Sequence, residues 1–168
     1  MPFLPEIVIV KSFILFVLGI LVGVVGAGAL LYTTASDVML AEQVSPVSVE
    51  ETVARIQKVA EADGWKVLAI RKLHESVKKH TGKDVRPVHL VDLCEPHHAG
   101  KILGDDDSRK VSVFMPCTIS VYEKSDGKAY VGSTNAELLG MLFGGTVSEV
   151  MGGAVADSQA KFVEAATK

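Results

Sequence analysis

The sequence predicts an α+β protein in which one N-terminal transmembrane helix precedes a small antiparallel sheet covered by helices. Two observations carry this prediction. An uncharged apolar run of 21 residues extends from Ser12 to Tyr32. Beyond it, helix-capping signals alternate with short segments rich in β-branched residues. A chain of 168 residues has room for one ordinary domain besides such a helix.

The apolar run has the length of a membrane span. A helix rises about 1.5 Å per residue and the hydrocarbon layer is about 30 Å thick, so the span is expected over about 12–32, within an anchor of residues 1–35. The alternative is a signal peptide cleaved after Ala35. Its apolar region would usually be only about 7–15 residues long and would follow more positive charge than Lys11 alone, so a retained anchor is favoured.

The charges beside the span predict its orientation. Lys11 precedes it, whereas Asp37 and Glu42 follow it. By the positive-inside tendency, the N-terminus lies in the cytoplasm and the domain outside the cytoplasmic membrane.

Small residues in the span predict close helix packing. Gly19 and Gly23 form a G-x-x-x-G pattern, which Ala27 extends along the same helix face. Such a face lets a second helix approach closely, so other membrane-protein subunits or a second copy are the expected partners. Glycine is also common in membrane helices generally, which is the alternative explanation.

The first elements beyond the span are a strand and a helix. Residues 36–47 are expected to form a linker with a first strand at Val38 to Val44, and residues 48–168 the domain. Ser48 and Glu51 have capping-box spacing, which predicts a helix there. Apolar residues then recur at helical spacing up to a stop at Gly64.

The middle of the chain alternates between the two kinds of element. Strands are expected at Trp65 to Arg71 and Pro87 to Leu93, with a basic helix over Leu73 to His80 between them. A short helix is expected over Ala99 to Leu103, since Pro96 suits a first helical turn. The acidic stretch Asp105 to Asp107 lacks the spacing of a calcium loop and is expected to be a solvated turn.

The last third of the sequence predicts three strands and two helices. Strands are expected at Val111 to Met115 and Thr118 to Tyr122, and a hairpin turn at residues 125–127 leads to a strand at Ala129 to Gly132. Capping-box spacing recurs at Thr134 with Glu137 and at Thr146 with Glu149, predicting a short and a longer helix. An apolar stripe on the longer helix is expected to cover the sheet: Val147, Val150, Met151, Ala154, Val155 and Phe162.

These features, in this order, resemble the DUF302 domain family over about Val44 to Ala166. The resemblance rests on Ser48-Val49-Glu50-Glu51-Thr52-Val53, Gly64, Cys94-Glu95-Pro96, Met115-Pro116-Cys117, Val121-Tyr122-Glu123 and Asp126-Gly127. It implies helices on one side of a curved antiparallel sheet. It transfers no catalytic motif, and a fold alone does not imply an activity.

The candidate ligand residues are Cys94, His97, His98 and Cys117. Cys94 ends a strand, the two histidines begin a short helix, and Cys117 borders another strand, so the cysteines are expected to meet at one end of the sheet. Thiolate and imidazole suit zinc, copper or haem iron. A Cys94–Cys117 disulfide and a reactive thiol are the alternatives, and the latter requires a lowered cysteine pKa beside a helix N-terminus.

The remaining observations favour a binding or accessory role over catalysis. The sequence has no Ser-His-Asp order, phosphate-binding glycine loop or paired carboxylates. A net charge of −3 and the lack of a basic stripe argue against a nucleic-acid surface. We therefore expect a membrane-anchored accessory or ligand-binding subunit. The alternative is a membrane-tethered redox or sulfur-handling protein that uses the cysteines.

Overall fold

The structure is a computed structural model that describes residues 4–168. For residues 4–10 and 31 it describes the backbone alone. The chain divides into two compact units, Met1–Val38 and Met39–Lys168. The first contains nearly all of a long helix, α1 (Leu4–Met39). Within the described residues, the part of this helix over Lys11–Met39 is long and apolar enough to cross a membrane, and none of its most apolar stretch is buried.

The second unit contains a five-stranded antiparallel sheet in the order β1-β5-β4-β3-β2. The strands are β1 (Leu40–Ser45), β2 (Lys66–Lys72), β3 (Val88–Cys94), β4 (Cys117–Glu123) and β5 (Ala129–Thr134). The helices between and after them are α2 (Val49–Ala62), α3 (Leu73–Thr81), α4 (Pro96–Gly104), α5 (Ala136–Phe143), α6 (Gly145–Glu149) and α7 (Ala156–Thr167). A 3₁₀ helix at Arg109–Phe114 and a π-helical segment at Val150–Val155 complete the unit.

Helices α2 and α7 pack against each other and against the sheet. The apolar side of α2 is the predicted one, with Val49, Val53, Ile56 and Ala60 all buried. These side chains meet alternate strand residues such as Val91 and Val121, which are fully buried. A fully buried valine or isoleucine contributes about 1.5–3 kcal/mol to folding, so this apolar layer stabilises the unit.

A buried polar network fixes the sheet edge to the helices. The Ser45 hydroxyl at the end of β1 donates to the Ala166 carbonyl oxygen at 2.8 Å and shares a 2.7 Å hydrogen bond with Thr52. The Thr52 hydroxyl also lies 2.7 Å from the Ser48 carbonyl oxygen. Because each buried hydroxyl has a partner, the network joins β1, α2 and α7 without an unpaired polar group.

The α+β prediction is confirmed, and most elements lie near their expected positions. The first strand begins at Leu40 instead of Val38, and residues 36–39, expected in a linker, continue α1. The predicted strand Val111 to Met115 is wrong. It is the 3₁₀ helix, which follows directly on a tight turn whose Ser108 amide donates to the Asp105 carbonyl oxygen.

The C-terminal helices also begin at different caps. The side chain of Asn135, rather than that of Thr134, accepts the Leu138 amide and caps α5. Thr146 lies inside α6, which Gly144 precedes. The predicted apolar stripe is buried except for Ala154, which is exposed because the π-helical segment changes the helical period.

One end of the sheet gathers several chain junctions. β1 begins there, with Leu40 paired to Thr134 at the end of β5. β4 also begins there, with Cys117 paired to Leu93, and Cys94 at the end of β3 pairs with Lys66 at the start of β2. The chain therefore enters the domain at the same end of the sheet that bears both cysteines.

Candidate functional site

Two chain segments meet at this end of the sheet and form the candidate site. β3 ends at Cys94 and leads through Glu95 into α4. The segment Met115-Pro116-Cys117 leads into β4 beside it. Antiparallel pairing of Leu93 with Cys117 aligns the two segments, so Cys94 and Cys117 come to one site, as the sequence predicts.

Between these segments and the π-helical segment lies a small cavity, which we call the thiol cavity. Its volume is about 20 Å³, enough for about one water-sized particle. The lining combines two thiols, two thioethers, an imidazole and an indole with apolar side chains: Trp65, Leu93, Cys94, Glu95, His98, Ala99, Ile102, Met115, Pro116, Cys117, Val150, Met151 and Val155. Two wider depressions of about 340 and 470 Å³ are more open to solvent and include neither cysteine.

Only one of the two predicted histidines contributes to the thiol cavity. His98 is half-buried and lines it, whereas the side chain of His97 is exposed. Both residues lie on α4, where neighbouring side chains point about 100° apart. The buried Ile102 lies four residues after His98, on the same face of the helix, and so turns His98 inward.

Glu95 occupies the N-terminus of α4. Its carboxylate accepts the His98 amide at 2.6 Å and lies 3.6 Å from the His98 Nδ1. Partial burial acts to raise the pKa of Glu95, but the hydrogen bonds from the His98 and His97 amides outweigh it and lower that pKa. The stabilising charge at this helix end is therefore a carboxylate and not a thiolate.

Both cysteines are free thiols, and burial disfavours their ionised form. It raises the pKa of Cys117 to about 11, with a further contribution from nearby Cys94. Burial also raises the pKa of Cys94, and the Glu95 carboxylate adds to the effect. A reactive-thiol role requires a lowered cysteine pKa, whereas both cysteines here have a raised pKa.

The potential metal ligands in the thiol cavity are mainly sulfur atoms, which are soft donors. In residues 4–168, no three side chains among His, Cys, Asp and Glu come together in a way that could hold a metal ion. A structural zinc site usually has four such ligands, so zinc does not fit. The additional sulfur atoms here belong to methionine, and thioethers together with thiols are ligands that favour monovalent copper.

Three further residues of the thiol cavity were not among the sequence candidates. Trp65 is 4% exposed and lies edge-on to both His98 and Phe162, with ring centroids 6.4 and 5.5 Å apart. The sequence predicts Met151 as a core residue, and it is buried, but it also lines the cavity together with both cysteines. Met115 stands two residues before Cys117 in the sequence. This short spacing could have indicated that the two residues line the same site.

The other histidines lie apart from this site. His74 and the buried His89 stack with ring centroids 5.3 Å apart, and the Val88 amide donates to the His74 Nδ1 at 3.1 Å. Burial, followed by the neighbouring His74, lowers the pKa of His89. Because His89 lies at the start of β3, this pair occupies the sheet end opposite the thiol cavity.

The fold and site define a small α+β domain with a thiol-lined cavity at one sheet end, joined to an apolar N-terminal helix. The chain belongs to the family described as domain of unknown function DUF302, whose model matches residues 41–166. It is also similar in structure to an uncharacterized conserved DUF302 protein from Bacillus stearothermophilus, with a TM-score of 0.66 and 21% identity. That similarity covers 76% of this chain and 98% of the other, and supports the fold alone. No curated protein matches the sequence.

Proposed function

We propose that the protein is a membrane-anchored subunit that binds a small soft ligand in the thiol cavity. The observation that carries the proposal is the lining itself. Two thiols and two thioethers line one cavity together with His98, whereas every buried side-chain nitrogen or oxygen atom of the described residues has a hydrogen-bond partner. Such a sulfur-rich lining is more specific than a general apolar core requires.

The size of the thiol cavity limits the ligand. About 20 Å³ accommodates a single ion or one end of a small molecule. Pockets for drug-sized molecules are roughly 300–1,000 Å³, so this cavity has no room for haem. Monovalent copper fits both the size and the donor atoms, and it is the ligand we test first.

The raised thiol pKa values favour binding over thiol chemistry. A nucleophilic or redox-exchanging cysteine needs a substantial thiolate fraction near neutral pH. Cys94 and Cys117 are both shifted the other way by burial. A soft metal ion can still displace the thiol protons on binding, and this predicts affinity that increases with pH.

The anchor supports the membrane location. α1 is apolar over a membrane-spanning length and buries none of its most apolar stretch, unlike a core helix. Lys11 before the span favours the N-terminus in the cytoplasm and the domain outside. Gly19, Gly23 and Ala27 leave one face of the helix flat, which suits a partner helix of another subunit or of a second copy.

Copper binding is tested on the full-length protein purified in mild detergent under reducing conditions. Monovalent copper is titrated in competition with a chromogenic chelator, and we expect one ion per chain. The variants Cys94→Ser and Cys117→Ser should each weaken binding at least tenfold. His97→Ala is the matched control, because His97 is exposed and outside the thiol cavity. Equal affinity in all four proteins would contradict a copper site here.

Subunit association is tested by the same purification without the titration. A stable stoichiometric complex is expected, and Gly19→Leu with Gly23→Leu should dissociate it by filling the flat face. Gly28→Leu is the control, since nine residues place Gly28 on the opposite side of the helix from Gly19. A wild-type protein that purifies only as a monomer would count against a partner.

A further inference from the structure

The end of the sheet at which the chain enters the domain is fixed by two contacts. Leu40, the first residue of β1, pairs with Thr134. The Asn135 amide donates to the Met39 carbonyl oxygen at 2.9 Å. The start of α5 therefore lies beside the point where the chain leaves α1.

An exposed apolar patch lies near this end, and we call it the apolar rim. It consists of Val113, Phe114, Met141, Leu142 and Phe143, with Val113 78% and Leu142 66% exposed. Phe114 and Phe143 join its two segments, with ring centroids 5.9 Å apart. A contiguous group of large exposed apolar side chains marks a contact surface, whereas scattered ones do not.

Both segments of the apolar rim lie near the point where the chain enters the domain. Phe114 stands three residues before Cys117, which begins β4 at this end of the sheet. Phe143 ends α5, whose eight residues begin after Asn135. A helix of that length measures about 12 Å, so the apolar rim lies within about that distance of the entry point.

The geometry points to the lipid surface as the occupant of the apolar rim, an inference that rests on the proposed membrane anchor. Residues 33–39 separate the expected span from β1 and are helical, a rise of about 10 Å. The headgroup layer is about 5–8 Å deep on each side of the hydrocarbon. The chain thus reaches the domain within a few ångströms of the headgroup layer, which is close enough for exposed apolar side chains at this end of the sheet to reach the interface.

Charges next to the apolar rim favour an apolar contact over an electrostatic one. The adjoining depression is lined by Asp105, Asp107 and Lys110, two carboxylates against one ammonium group, so it offers no excess of positive charge to attract anionic lipid. Contact is therefore expected with zwitterionic lipid as well as with anionic lipid. It would also bring the thiol cavity, at the same end of the sheet, close to the membrane surface.

Depth-dependent fluorescence quenching tests this inference on the full-length protein. The variants Leu142→Trp and Val85→Trp are reconstituted in phosphatidylcholine vesicles with and without brominated acyl chains. Val85 is the matched control because it is exposed but precedes β3, at the opposite end of the sheet. After subtraction of the Trp65 signal, brominated lipid should quench Trp fluorescence from position 142 at least twofold more than from position 85.

The outcomes separate this inference from the anchor on which it rests. If the chain integrates into vesicles and resists alkaline extraction but both positions are quenched equally, the lipid contact is overturned and the anchor stands. If the chain is extracted by alkali, the anchor itself fails and the inference fails with it. A matching thermal unfolding midpoint for both variants shows that the substitutions leave the domain folded.

Discussion

The environment of each residue, more than its type, decides what the thiol cavity can do. Cys94 precedes a helix, a position that commonly lowers a cysteine pKa. Here Glu95 already accepts the first amides of α4, so the thiol beside it faces a carboxylate instead of free amide donors. The protonated thiol is consequently the resting form, which suits a ligand site and not a nucleophile.

Native thiol reactivity should reflect these pKa values. At pH 7.5, Cys117 with a pKa of about 11 has on the order of a hundredfold less thiolate than an unperturbed cysteine with a pKa near 8.5. We expect both thiols to react slowly with a chromogenic disulfide reagent in the folded protein, Cys117 more slowly than Cys94, and both rapidly in denaturant. The rate for Cys117 should increase with pH up to about 11, its pKa. A fast thiol at pH 7.5 would contradict a protonated resting state.

A second residue-scale prediction concerns the ion pair on the sheet face opposite the helices. Asp92, with an 8% exposed side chain, accepts two hydrogen bonds from Arg71 at 2.6 and 2.8 Å and one from Thr118 at 2.8 Å. Replacing Asp92 with Asn should lower the free energy of unfolding by about 1.5–3 kcal/mol, since hydrogen bonds to a charged group are lost. Denaturant unfolding monitored by the single tryptophan measures this change.

The effect of Asp92 should depend on pH in one direction. Arg71 holds the pKa of Asp92 below its ordinary value in the folded protein. Its stabilisation is therefore complete above the unfolded pKa, near 3.9, and is lost as the pH falls through the lower folded value. Glu123→Gln is the control, because its pair with Arg86 is exposed and should contribute less than about 1 kcal/mol. An equal loss at pH 7 and pH 2.5 would show that the charge is irrelevant.

At the scale of elements, local signals predicted those parts of the fold that local contacts decide. The S-x-x-E box and apolar period of α2 correspond to a real cap, in which Ser48 accepts the Glu51 amide at 3.2 Å. The segment Val111 to Met115 was misassigned because alternating valines resemble a strand. Only Val111 is buried, whereas Val113 is exposed, a pattern set by a preceding turn and not by pairing with the sheet.

The sequence predicts only those residues of the candidate site whose positions are determined by the ends of strands. Cys94 and Cys117 come together because their strands are antiparallel neighbours. The choice between His97 and His98 depended on the rotation of α4, which the spacing to Ile102 could have indicated. Met151 enters the site from the π-helical segment, and no local sequence pattern predicts that irregular turn.

The contact between α5 and the π-helical segment yields an element-scale prediction. A Cβ atom on Gly140 would lie 2.6 Å from the Gly152 nitrogen, so Gly140→Ala forces the two backbones apart. We expect a loss of about 1–3 kcal/mol in the free energy of unfolding, as in other overpacked sites. Gly153→Ala is the control, because its added methyl group meets open space. Equal stability of the two variants in thermal unfolding would contradict the close contact.

At the scale of the whole molecule, the two units have opposite chemical characters. The N-terminal helix exposes an almost continuous apolar surface, whereas the domain has its own buried core and a mixed-charge exterior. The family model matches residues 41–166, so it covers the sheet and nearly all of its helices but not the apolar N-terminal helix.

The orientation of the anchor gives the last prediction, that the hairpin between β4 and β5 lies outside the cytoplasm. Ser125 is exposed at its turn, so Ser125→Cys supplies a reactive thiol, and the two half-buried native thiols react far more slowly. A membrane-impermeant maleimide should label this variant in intact cells as strongly as in permeabilised ones, because Lys11 before the span favours a cytoplasmic N-terminus. The wild-type chain, treated in parallel, gives the background from Cys94 and Cys117. Labelling that requires permeabilisation would reverse the topology, and with it the compartment in which the thiol cavity meets its ligand.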